Sequence, residues 1–197
     1  MAYIAGDAEE EAQHASYCDM MTHGPVVKST SPENVLWSEQ DKRILLITDQ
    51  SSEDQRILAH NTSRVANREM RYDGGIYRSY DPPDERQIRI YLLVQGSRAV
   101  GLLLLEQRTT IWLCRWDREP DKNPICDERA DIPWMWSVGF IWTHADHRRT
   151  GLSVRLLQVV FGDLNLSPTK IGWYTPFSDA GDKFVRRLCP IHFYVAK

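Results

Sequence analysis

A chain of 197 residues, 42% of them hydrophobic, holds enough apolar material for one full core and too little for several. Its formal net charge of -3 gives no global basic field, so direct nucleic-acid binding is not expected and any basic patch is local. No apolar run approaches the roughly 20 residues that span a bilayer, and the acidic start MAYIAGDAEEEAQH lacks the basic-then-apolar order of a secretory leader; no membrane contact is expected and the reading is intracellular, cytoplasmic or nuclear. Cys18, Cys114, Cys126 and Cys189 are far apart and form no CxxC pair, so reduced, mostly buried thiols are expected.

In chain order, residues 1–23 read as a helix with Glu9 to Glu11 in its first turn, and 24–34 as a Pro/Ser/Thr-rich loop; together they form an N-terminal extension. RILLITD at 43–49 is a buried strand, and 51–70 an amphipathic helix capped by Ser51 or Ser52. Residues 71–87 are a loop. Residues 88–116 form an antiparallel hairpin around Gly96-Ser97, its second strand the longer, and 117–133 form a polar loop with three prolines. WMWSVGFIWTHA at 134–145 is a strand, and its three tryptophans suggest a large apolar wall. A helix at 150–164, a strand at 170–175, a helix at 178–188 capped by Ser178 and a strand at 191–196 complete the chain. The order implies a single domain over 1–197: a mixed, largely antiparallel α/β sheet with helices on both faces.

The junction HADHRRTGLSVRLLQ, 144–158, carries the strongest functional signal. A strand that turns into a helix presents free backbone N–H groups to an anion at the positive end of the helix dipole. Arg148 and Arg149 add charge, Thr150 and Ser153 add hydroxyls, and Gly151 lets a ligand approach the backbone that leads into Leu152. The spacing R-x-x-G-x-small resembles the acetyl-CoA pyrophosphate loop of the GNAT acetyltransferases, with Ser153 at a position that family fills with Gly or Ala.

Further blocks resemble one GNAT branch, the sister-chromatid cohesion N-acetyltransferases that modify cohesin lysines. EAQHASYC (11–18), AVGLLLLEQ (99–107), IWTHADHRRTGLSVRLL (141–157), TPFSDAGDKF (175–184) and HFYVA (192–196) follow that family's order. Two departures stand out. The family's zinc-finger histidines are replaced by His14-x3-Cys18 with no upstream cysteine, too few ligands for a metal, so none is expected. By ungapped reading, the family's catalytic aspartate falls on Pro176 and its partner serine on Gly139.

The resemblance implies a GNAT-like fold that uses acetyl-CoA as co-substrate. Ile141, Trp142 and Thr143 would line the pantetheine arm through their backbone, Arg148 to Ser153 the phosphates, and Ser178 and Phe184 the far side. For the chemistry, Glu106 is the candidate base, with Tyr174 and Thr175 at the end of the next strand; Tyr174 would protonate the leaving thiolate. His147 is expected to lie in solvent beside the phosphates. Trp134, Trp136 and the loops 71–87 and 117–133, which carry Asp81, Asp84, Glu85, Asp117, Glu119 and Asp121, would border an acidic acceptor rim. His192 and Tyr194 would place one face of the last strand toward the cleft. The expected activity is acetyl transfer to an amine, either a protein lysine or a small molecule. The alternative is a divergent module that has lost transfer and binds something else in the cleft. The oligomeric state is not readable from sequence.

Overall fold

The computed structural model describes residues 7–28, 34–71, 87–117 and 124–196. In order they form α1 (Ala8–His23), β1 (Val35–Glu39), β2 (Lys42–Ile47), α2 (Glu53–Met70), β3 (Ile88–Gln95), β4 (Arg98–Arg108), β5 (Ile111–Arg115), β6 (Ile125–Arg129), β7 (Met135–Thr143), α3 (Leu152–Leu164), β8 (Gly172–Tyr174), α4 (Asp179–Leu188) and β9 (His192–Ala196). The strands make one nine-stranded sheet in the order β1-β2-β3-β4-β7-β8-β9-β5-β6. All its pairings are antiparallel except β7–β8 and β8–β9, which are parallel. The mixed, largely antiparallel α/β sheet expected from sequence is the architecture observed.

Alternation along the strands sends side chains to two cores. Ile44, Tyr91, Leu93, Leu103, Leu105, Val138 and Trp173 pack with Leu152, Leu156, Leu157 and Val160 of α3 and Val185 of α4. Leu45, Ile47, Ile90, Leu92, Leu102 and Leu104 pack on the other face with Ala59, Val65 and Ala66 of α2, and with Met20 and Met21 of α1. Helices therefore cover both faces. Asp7 caps α1, and Ser52 rather than Ser51 caps α2 through a capping box with Gln55.

A polar tie joins sheet and helix in the first core. Tyr91, fully buried, donates its hydroxyl to Asp163 Oδ2 at 2.6 Å, and Arg89 reaches the same oxygen at 2.7 Å while its guanidinium lies over the Trp136 ring. Burial, and then the Asp163 carboxylate, push the Tyr91 phenol well above its ordinary value, so it remains a donor. Tyr91→Phe leaves Asp163 bonded to Arg89 but deletes a charge-assisted hydrogen bond. The expected loss is about 1–2 kcal/mol in urea-unfolding free energy, with the m-value unchanged.

The structure adds one element and corrects three expectations. Val35–Glu39, which carries no sequence assignment, is the edge strand β1, joined to β2 by a tight turn at Gln40, whose φ is 56°. The long second hairpin strand is two strands, because the chain breaks at Thr109-Thr110; β4 stays in the hairpin while β5 crosses to pair with β9. Part of the 117–133 loop is the strand β6. Finally, Cys114 and Cys126 are not reduced thiols. They face each other across β5 and β6, with Cα atoms 4.1 Å apart, and form a disulfide. Cys189 is free and buried, and its burial raises its thiol pKa; Cys18 is free and exposed.

Candidate active site

The site is built where two parallel strands part. β7 and β8 pair only at Ser137 with Gly172 and at Val138 with Trp173. Beyond that point β7 runs on to Thr143, held on its other side by β4. Among the described residues, its β8-facing edge from Gly139 onward has no strand partner. The β4–β7 register shifts between Leu104–Phe140 and Leu105–Val138, which makes Gly139 the extra residue of a bulge where the strands part.

Glu106 on β4 and Tyr174 at the end of β8 meet across β7. Their neighbours Leu105 and Trp173 belong to the α3 core, so alternation turns Glu106 and Tyr174 to the opposite face. The Tyr174 hydroxyl donates to Glu106 Oε2 at 2.8 Å. This contact closes over Gly139: a side chain there would start 3.7 Å from Glu106 Oε1 and 3.7 Å from the Tyr174 ring. Arg108 donates to the same Oε2 at 2.5 Å, and its guanidinium carbon lies 4.9 Å from the centre of the Tyr174 ring. The Arg108 Nε is buried without a hydrogen-bond partner, which leaves one donor for a bound group. The Glu106 side chain is 15% exposed, so it is reachable from the cleft while largely out of water. Thr175 is exposed just beyond Tyr174, ahead of Pro176. Arg108 was not among the residues singled out in the sequence; its signal is the i, i+2 spacing from Glu106 on one strand face.

At the far end of β7 stands the turn Arg148 to Ser153. Gly151 takes φ 83° and caps α3 without any side-chain hydrogen bond, and space around its Cα is open. The first helical bond runs from Arg155 N–H to Gly151 O, so the amides of Leu152 to Val154 lie ahead of the helical ladder. Arg149 is exposed at φ 63°. The other side chains of the turn are engaged within the protein. Ser153 Oγ lies 2.9 Å from Thr143 Oγ1, and Thr150 donates to His147 O at 2.6 Å. Arg148 donates to Thr143 O at 3.0 Å and pairs with Glu69 at 2.9 Å. Leu152 is buried in the α3 core, where it anchors the helix start.

The remaining expected residues fall around these two centres. Ile141 packs on the α3 core, whereas Trp142 is buried on the α2 face, so the three tryptophans form no common wall. Trp134 is half exposed and meets the buried Trp136 edge-on. His147 is half-buried rather than solvated; burial, and then His144, lower its pKa and favour the neutral ring. Ser178 caps α4 by accepting from Gly181 N–H, and Phe184 packs against Trp173. Tyr194 joins Tyr174 in a small cluster with Ile111, Met135 and Ala196, and His192 is exposed. Ala130 and Ile132 of that cluster also line an open cavity of about 440 Å³ with Thr109, Arg129, Asp131 and Pro133. Asp117 is half-buried; Asp81, Asp84, Glu85, Glu119 and Asp121 lie outside the described residues. His14 and Cys18 sit one turn apart on α1, 3.5 Å from each other, and no group of three or more metal-ligating side chains occurs among the described residues. No helix among them is long and apolar enough to cross a membrane.

No family model and no curated protein matches the sequence. Solved structures do match. The xEco2 acetyltransferase domain bound to a CoA conjugate superposes with a TM-score of 0.67 and 18% identity, covering 83% of this chain and 96% of that one. A second structure of the xEco2 acetyltransferase domain gives 0.66 and 18%, covering 86% and 98%. The chain shares the fold of that acetyltransferase domain.

Proposed function

We propose that this protein is an acetyl-CoA-dependent N-acetyltransferase. The observation that carries the reading is the placement of one acid–base pair, Glu106 and Tyr174, at the mouth of a strand fork whose far end opens onto an uncapped helix start. An extended pantetheine arm fits the unpartnered edge of β7 at Ile141 to Thr143. The pyrophosphate fits the amides of Leu152 to Val154, with Arg149 beside them. This directs the thioester toward the Glu106–Tyr174 pair that closes over Gly139. Thr150 and Ser153 shape the turn through their internal hydrogen bonds, and Phe184, Ser178 and Thr175 border the β8 side.

The proton path is short and balanced. The neutral amine attacks the thioester carbon, forming the C–N bond, and its proton passes to Glu106, directly or through one water. As the C–S bond breaks, Tyr174 gives its proton to the thiolate and recovers one from Glu106 across their hydrogen bond. Arg108 holds the carboxylate in line throughout. The unpaired Arg108 Nε and the β7 amides are the available donors for the developing oxyanion. By the ungapped reading, Gly139 and Pro176 fall where the resembling cohesin acetyltransferases carry serine and aspartate, so we assign the task to Glu106 and Tyr174.

The acceptor is an amine. The cavity lined by Thr109, Arg129 and Asp131 shares Ala130 and Ile132 with the cluster that holds Tyr174, and Asp131 is its carboxylate for an ammonium group, whether of a lysine side chain, a small polyamine or an amino sugar. Calorimetry tests the donor half: acetyl-CoA is expected to bind one to one with a micromolar Kd, and no binding at millimolar ligand overturns the proposal. Release of free thiol with lysine peptides, polyamines and amino sugars then identifies the acceptor class. Donor binding with no turnover on any of them favours a repurposed module.

A further inference from the structure

Glu69 stands in the last turn of α2, outside the reacting centre, yet its carboxylate gathers three donors from the acyl-donor end of the molecule. The buried indole of Trp142, at the end of β7, donates to Oε2 at 2.5 Å. The Ala145 N–H, in the short 3₁₀ turn that follows, donates to Oε1 at 3.0 Å. The Arg148 guanidinium reaches Oε1 at 2.9 Å. Arg148 also bonds the Thr143 carbonyl at 3.0 Å, so its charge and two of its donors are committed to the strand end and to Glu69. One carboxylate thus ties the last strand residues, the 3₁₀ turn and the entry to α3 to a helix on the opposite face of the sheet.

From this we infer that Glu69 is a positioning residue for the acyl-donor turn. It acts through Arg148, whose role is to brace the turn rather than to grip the phosphates. The inference rests on the acetyl-CoA reading above. Its electrostatics are self-consistent. A bare carboxylate beside a phosphate site would repel the ligand, and Arg148 neutralises it. Arg149, exposed at the apex of the turn, and the leading amides of α3 are left to meet the anion. The sequence gives no hint of this, because Glu69 and Arg148 lie far apart in the chain and the partnership exists only once α2 packs under β7.

A double-mutant cycle read by calorimetry with acetyl-CoA tests the inference. Glu69→Ala and Arg148→Ala are each expected to weaken binding about tenfold, the scale of one charge-assisted hydrogen bond. The double variant is expected to lose the same tenfold rather than a hundredfold, because both substitutions release one brace. KM for acetyl-CoA should rise with kcat held within about twofold, the signature of lost ground-state positioning. Glu69→Gln keeps the side-chain volume and one acceptor oxygen for Ala145 and Arg148, while its amide nitrogen faces the Trp142 indole N–H; its affinity should fall between those of wild type and Glu69→Ala, and a single cooperative thermal transition in each variant guards against misfolding. Multiplicative losses, or Glu69→Ala binding as tightly as wild type, overturn this inference and leave the donor reading intact. A wild-type protein that binds no acetyl-CoA overturns both.

Discussion

Glu106→Gln is expected to lower kcat/KM for acetyl transfer by about a hundredfold to ten-thousandfold, with the Kd of acetyl-CoA unchanged within about twofold. The size follows from what the substitution removes. Gln keeps an oxygen that accepts the Tyr174 hydroxyl, and it keeps the volume over Gly139, so packing and donor binding stay as they are. It cannot take a proton from the incoming amine. Tyr174→Phe should also lower kcat, by about tenfold or more, because the thiolate then leaves without a proton donor while Glu106 still serves the amine. The two losses should not multiply, since the residues pass one proton along one path. Pre-steady-state release of thiol, followed with a chromogenic disulfide, measures both variants. Activity within about threefold of wild type in Glu106→Gln removes Glu106 from the reaction and leaves its pairing with Arg108 as a structural tie.

Which parts of this arrangement are legible in the sequence depends on how far each feature reaches along the chain. Helices α2, α3 and α4 and the central strands show in the pattern because each buries a full stripe or a continuous apolar run. The edge strands do not. VLWSE and ICDER have one strand neighbour each and leave polar or charged side chains in water, so neither run has the density of a buried strand. The tight turn before β2 hides for a related reason: its left-handed residue is Gln40, where the usual signal is Gly or Asn. Glu106 is visible as a carboxylate ending an apolar strand, and Gly151 as a glycine between strand and helix. Their partners are not visible. Tyr174 meets Glu106 only because β7 lies between β4 and β8 and bears no side chain at Gly139. The Cys114–Cys126 bridge likewise needs the β5–β6 register, which a loop reading of 117–133 cannot supply.

Gly172→Ala is the substitution expected to damage the site most through the fold. Gly172 is the first residue of β8, paired with Ser137 one position before Val138 and Trp173, where the two strands last touch. A methyl group built there overlaps Ser137 Oγ and stands 3.2 Å from Ser137 Cβ, a tight contact. Ser137 has little room to turn aside: it is fully buried, and Met135 Sδ lies 3.5 Å from the same point. The strands must then separate at the Ser137–Gly172 pair, and the adjoining Val138–Trp173 pair loosens with it. That opens the α3 core and moves Tyr174 off Glu106. Overpacking of this kind costs about 1–3 kcal/mol, and a lost buried strand pairing adds to it. Denaturant titration should therefore show a fall of at least about 2 kcal/mol, and kcat should fall even where the protein remains folded. Compensation makes the argument testable beyond a simple loss. Ser137→Gly removes both clashing atoms, so the Gly172→Ala/Ser137→Gly pair should recover more than half of the stability and most of kcat, although Ser137→Gly alone is destabilising. A double variant no better than Gly172→Ala would mean that the fork is set by something other than the close approach of these two strands, and the placement of Tyr174 would then need a different cause.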